Sequence, residues 1–177
     1  MKGLVKLLLF SMFGASIAPC MLLAAPDWKC LQPALKEELN RKLIFQDDFA
    51  ELVSAERPEF ADVAQLGADV SKINFEMRLS RITWLWNDEP SRLSDPEDLW
   101  VFAWSDADMT KWLEANPDNL SSFERFDELQ ASLSGHPSLP EFRSYVSDNK
   151  AVSPYLELYS AFGEDIRSDR NKVANCF

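Results

Sequence analysis

Histidine is nearly absent from this 177-residue chain, and glycine is scarce: one His and five Gly. With His136 alone, no His pair exists to hold zinc, and a Ser-His-Asp triad would have to be built on a residue that sits beside Pro137 with no nucleophile motif around it. The few glycines form no Gly-rich loop of the kind that cradles phosphate. Strand-like alternation of apolar and polar residues is missing, as are internal repeats, low-complexity runs and linkers. These gaps argue against a metal centre, a cofactor fold and a sheet, and leave no residues to nominate as catalytic.

Acidic residues are also missing from the first 26 positions; the first is Asp27. That opening stretch carries Lys2 and Lys6, an apolar run from Leu7 to Ala18, and a small-residue end at Ala24 and Ala25. A basic start, an apolar middle and a small-residue end make residues 1–25 an expected signal peptide, cut near Ala24 or Ala25. Cys20 follows Ile17-Ala18-Pro19, which departs from a lipoprotein box because Pro19 stands where a small residue belongs. A third fate is an uncleaved anchor, since ~20 apolar residues suffice to span a bilayer.

The expected mature chain, residues 26–177, is a single helical domain outside the cytoplasm, periplasmic or secreted. Without Lys2 and Lys6 it holds 16 basic against 29 acidic residues, a formal charge of −13. Such a surface repels nucleic acid and anionic lipid and favours a basic protein partner. No membrane contact is expected after cleavage. Two cysteines remain, Cys30 and Cys176, near the two ends. An even pair in an oxidising compartment predicts a disulfide that staples the termini.

What is present reads as helix. Leu31, Leu35, Leu39 and Leu43 recur every four residues, predicting a first helix that stops before Arg57-Pro58. Val63, Leu66, Val70, Ile73 and Met77 step by three and four, and the apolar character continues behind that seam to Trp86. This predicts a central helix over 60–86. Capping patterns at Asp95-Pro96-Glu97-Asp98, Ser105–Asp108, Ser121–Glu124 and Ser138–Glu141 predict further helix starts. Ser153-Pro154 opens a last helix, interrupted or ended at Gly163. The expectation is an all-α fold, a compact bundle of about five to seven helices.

Three features stand out as candidates for binding. Asn74, Arg78 and Arg81 form a polar stripe on the central helix, and at ~100° per residue Arg81 lies ~40° from Met77, inside the apolar arc. A cation there needs a carboxylate partner, an anionic ligand, or a stem long enough to bring its head to water. Five of the six tryptophans fall within 84–112, and Trp100 and Trp104 are four apart, the spacing of one helix face. Charge is uneven as well: residues 88–141 hold 13 acids against Arg92, Lys111 and Arg125. Asp106 and Asp108 belong to this segment and read first as helix-start acids. The binding candidates are therefore Trp100, Trp104, Asp106, Asp108, Arg78 and Arg81. The leading expectation is a non-enzymatic binding module, an inhibitor or immunity-type protein that masks a basic partner. One alternative is a small helical enzyme acting on an anionic substrate through Arg78 and Arg81. Another is an envelope structural protein tethered by its N-terminus.

Overall fold

Two long antiparallel helices form the spine, and each is terminated by the same device. In the computed structural model, α1 runs Trp28–Glu56 and α2 runs Ala61–Asp88. Each is followed by an X-Pro pair, Arg57-Pro58 and Glu89-Pro90, whose first residue has left helical backbone (φ −141°, ψ 77° and φ −139°, ψ 66°). Proline forces that departure by clashing with a helical predecessor. A short 3-10 turn follows each break, Pro58–Phe60 and Pro90–Arg92. The structure describes residues 26–93, 95, 96, 99, 100 and 104–177. Residues 1–25, where the signal peptide and Cys20 are expected, lie outside the described residues, as do Ser94, Glu97, Asp98 and 101–103.

Four shorter helices complete the all-α architecture: α3 Asp106–Ala115, α4 Pro117–Ser134, α5 Leu139–Asn149 and α6 Tyr155–Ala174. The side-by-side order is α6, α1, α2, α4, with α3 against α4 and α5 touching α2. Apolar side chains close the two ends of the α1–α2 pair separately. At one end Leu31 and Leu35 meet Ile82, Leu85, Leu99 and Val173. At the other, Val53 and Phe60 meet Val63, Ala68, Phe142 and Tyr155. A lateral cluster joins Ile73 and Met77 of α2 to Trp112 of α3 and Phe126 of α4.

Several sequence-based boundaries change. The Ser121–Glu124 pattern lies inside α4, which starts instead at Pro117, where the Asn116 side chain accepts from the Asp118 N–H at 3.0 Å. Proline at the first helical position and an Asn cap outrank a Ser-rich stretch four residues later. No helix starts at Asp95: Pro96, Leu99 and Trp100 lie in turns. Gly163 neither ends nor interrupts α6, because an exposed glycine in mid-helix costs only ~1 kcal/mol relative to alanine and the helix continues for three turns.

Asp27 caps α1 through its side chain and also receives the chain's other end, its N–H donating to the Cys176 carbonyl at 2.8 Å. Cys30 and Cys176 are joined as a disulfide beside this contact. The bond closes nearly the whole described chain into one loop, and loop-closure entropy assigns such a cross-link roughly 2–5 kcal/mol. The Cys30→Ser/Cys176→Ser protein should therefore lose about 2–5 kcal/mol in urea unfolding, with reduced protein unfolding at the same midpoint as the double variant. An unchanged midpoint would show that the two ends are held without the bond.

Candidate functional site

The buried face of α1 departs from the leucine ladder after Leu35. It passes through Leu31, Leu35, Glu38 and Lys42, spaced four, three and four, whereas Leu39 and Leu43 are only half-buried. Glu38 is fully buried and Lys42 is 6% exposed. The Lys42 ammonium donates to one Glu38 oxygen at 2.5 Å and lies 3.7 Å from the centre of the Trp100 ring and 5.6 Å from that of Phe75. Burial pushes this ammonium below the usual lysine range, against the opposing pull of Glu38. The second Glu38 oxygen has no hydrogen-bond partner among the described residues. Sequence reasoning missed both residues, although the signal was there: an acid followed four positions later by a base is a helical ion pair, and it continued the 31–35 seam.

Arg78 and Arg81 diverge from one another. The Arg78 guanidinium donates to the Trp100 carbonyl and, at 3.4 Å, to the Asn74 side chain. Arg81 turns toward α3. Its guanidinium carbon lies 4.8 Å from the ring centre of Trp112 and 5.3 Å from that of Trp104, with the Met109 sulfur 3.8 Å from Nη2. No carboxylate pairs with Arg81 among the described residues, and its Nε is buried without a partner. Burial, reinforced by the Arg78 charge, weakens its hold on its proton, yet a guanidinium stays charged in any protein environment. The cation inside the apolar arc is thus held by aromatic faces in place of a carboxylate. Indole quadrupoles supply ~0.5–2 kcal/mol per such contact as desolvation increases.

The two tryptophans chosen from the sequence do not share a helix. Trp100 is in a turn, 8% exposed, beneath Lys42, and Trp104 precedes the Ser105 cap outside any helix. Trp104 packs between Trp84 and Trp112, at ring-centre distances of 5.6 and 6.4 Å.

Asp108 has the capping role expected for it. Its carboxylate accepts from the Ser105 N–H at 3.1 Å, while the Ser105 hydroxyl accepts from the Asp108 N–H at 3.1 Å. Arg92 grips the same carboxylate from the far side at 2.9 and 3.1 Å. This bidentate guanidinium, with the Ser105 N–H, holds the carboxyl at about 2. Asp106 is exposed in the first turn of α3.

The remaining acids divide by location. On the α1–α6 side, Glu37, Asp165 and Asp169 are consumed by Arg41 and Lys172; Asp169 is fully buried, with Arg41 Nε at 2.5 Å and Lys172 Nζ at 3.0 Å. On the α3–α4 side, Asp106, Glu114, Asp118, Glu124, Asp127 and Glu128 form no ion pair among the described residues. Leu120, Glu124, Asp127 and Glu128 fall within a ~100° arc of α4, and Leu120 is 47% exposed within that acidic face. Compared with protein-family models, with curated proteins and with solved structures, the chain has no match.

The Asp108 pair predicts a pH signature. A carboxyl depressed from its ordinary value of 3.8 to about 2 stabilises the fold fully above pH ~4 and loses that contribution as pH falls through ~2. The stability gap between wild type and Asp108→Asn, read from urea midpoints between pH 5 and 2, should narrow steadily on acidification. A gap independent of pH would mean that the Arg92 contact adds nothing.

Proposed function

We propose that this chain is an exported, disulfide-stapled binding module whose acidic α3–α4 face masks a basic protein partner. The observation that carries the proposal is the unequal use of charge. Cations inside the protein are spent on tryptophan faces, a carbonyl and one buried carboxylate, while the α3–α4 acids other than Asp108 form no ion pair among the described residues. An uncompensated acidic face speeds encounter with a basic surface and sets orientation. Exposed Leu120 gives it an apolar point of contact. The Cys30–Cys176 bond fits an oxidising compartment, where such bonds persist.

The rival reading, an enzyme that holds an anionic substrate with Arg78 and Arg81, has less support. Both guanidiniums already have protein partners, and a strongly negative chain repels an anion. Trp100 and Trp104 support recognition from within in this reading, through their contacts with Lys42 and Arg81, and Asp106 contributes to its charged face.

The test is capture of the partner from envelope extract across a salt series. Wild type should retain a basic protein at low salt and release it as ions screen charges over ~8–10 Å. The triple reversal Asp106→Lys/Glu124→Lys/Asp127→Lys changes only exposed, unpaired side chains, so its melting temperature should stay close to wild type while capture falls at least ~10-fold. Capture indifferent to both salt and reversal would overturn the proposal.

A further inference from the structure

α2 carries a second seam that α3 and α4 cover only in part, at Ser80. Glu76, Ser80, Thr83 and Asn87 are spaced four, three and four, the period of a buried helix face, but every one is polar. They line one wall of a cleft of about 480 Å³. Over eleven residues of rise the wall is ~16 Å long. Trp84, Leu39 and Leu79 add apolar surface, and Asn116 and Asn119 line the same cleft from the α3–α4 junction.

The cleft is pre-arranged. Asn119 is 7% exposed, and its amide is held from both sides: its oxygen accepts from the Ser80 hydroxyl at 3.0 Å and its nitrogen donates to the Trp112 carbonyl at 2.6 Å. Ser80 in turn accepts from the Trp112 indole N–H at 3.2 Å. This chain of bonds ties the α2 wall to α3 and α4, so the shape exists before any ligand arrives, which lowers the ordering cost of binding. Other groups are left free. The Glu76 carboxylate has no hydrogen-bond or ion-pair partner among the described residues, and neither does the Trp84 indole N–H, which is not fully buried.

The donor set selects the ligand. No Lys or Arg lines this cleft, and Glu76 places a negative charge in it, so phosphates and carboxylates are disfavoured. The Ser80 and Thr83 hydroxyls and the Asn87 amide nitrogen already donate to Asn119, the Leu79 carbonyl and the Thr83 carbonyl, which leaves the Glu76 carboxylate and the Asn87 oxygen as acceptors and the Asn116 amide nitrogen as a donor. An indole offers a broad face for an apolar ring surface. A ligand matching both needs hydroxyls around its edge and C–H groups on its flat faces. We propose that this cleft binds a short neutral oligosaccharide, with a sugar ring against Trp84 and its hydroxyls on Glu76 and Asn87. The site is separate from the acidic outer face of α4 and does not depend on the partner proposed for that face.

The experiment titrates the purified protein with maltotriose, cellotriose and chitotriose, following tryptophan fluorescence and the indole N–H resonances. At least one trisaccharide should give a saturable response that shifts the Trp84 signal. Glu76→Ala and Asn87→Ala remove exposed side chains, so both should keep the wild-type melting temperature while affinity falls ~10-fold each, the loss expected for a hydrogen bond to a polar or charged group. Trp84→Leu should abolish the response; because Trp84 also packs against the core, the two exposed variants carry the decision. Reversal of Glu124 and Asp127 should leave saccharide affinity unchanged, which separates this site from the protein-binding face. Three results would overturn the proposal: no saturable response to any of the three sugars, a response that both exposed variants retain at full affinity, or a Trp84 shift produced by a trilysine peptide and by none of the sugars.

Discussion

Cations seated on indole rings hold Trp100, Trp104 and Trp112 against the helical pair. Lys42 reaches from α1 to the face of Trp100, and Arg81 reaches from α2 to Trp104 and Trp112. Arg78 adds a bond to the Trp100 carbonyl. Leu93 and Leu99 join the same end of the helical pair through apolar contact, and Arg92 adds its bond to Asp108. The cation–indole contacts also solve a solvation problem. Lys42 and Arg81 are carried into the interior by the period of their own helices, and an isolated charge there costs several kcal/mol. Glu38 and the Trp100 face compensate Lys42; indole faces and a sulfur compensate Arg81.

This arrangement shapes the outside of the protein. A chain with 16 basic residues after position 25 places some of them where they neutralise no surface acid. The α1–α6 side still balances its charges, because Arg41 and Lys172 bridge three carboxylates across the two helices. The α3–α4 side has only Lys111 and Arg125 among its helical residues, and neither pairs with an acid there. The negative field that motivates the proposed binding role is therefore partly a product of how the interior is built. The polar cleft along α2 has a related origin: α3 and α4 are docked through the apolar contacts of Trp112, Met77 and Phe126, and of the seam from Glu76 to Asn87 Ser80 bonds to Trp112 and Asn119 while the rest lines the cleft.

Much of the fold was legible because its signals are local. The seam from Val63 to Met77 and the X-Pro pair at Arg57 act within a few residues, and so does the capping box at Ser105; Ser138 precedes α5 as read, but makes no side-chain cap bond. The cysteine pair was legible by counting. Tertiary partners were not. The leucine ladder at 31, 35, 39 and 43 drifts ~40° at each step of four, so the face that stays buried must shift to 38 and 42, and only the neighbours of α1 reveal it. Arg81 was recognised as a cation in an apolar arc, yet its partners lie 23 and 31 positions further along the chain. Trp100 and Trp104 misled because a spacing of four implies a shared face only if the segment is helical, and Trp100 is in a turn. The acids of α3 and α4 were counted correctly from the sequence; which of them lacked a partner required the geometry.

The central claim is that the cation on Trp112 holds the α2–α3 region together, and a double-mutant cycle measures it directly. Arg81→Met keeps most of the stem and removes the charge; Trp112→Leu keeps an apolar filler and removes the indole face. Urea unfolding of wild type, both single variants and the double variant should give a coupling energy of about 0.5–2 kcal/mol in favour of the native pair. A coupling energy of zero within error, with both single variants destabilised independently, would show that Arg81 and Trp112 are merely neighbours and would contradict the account.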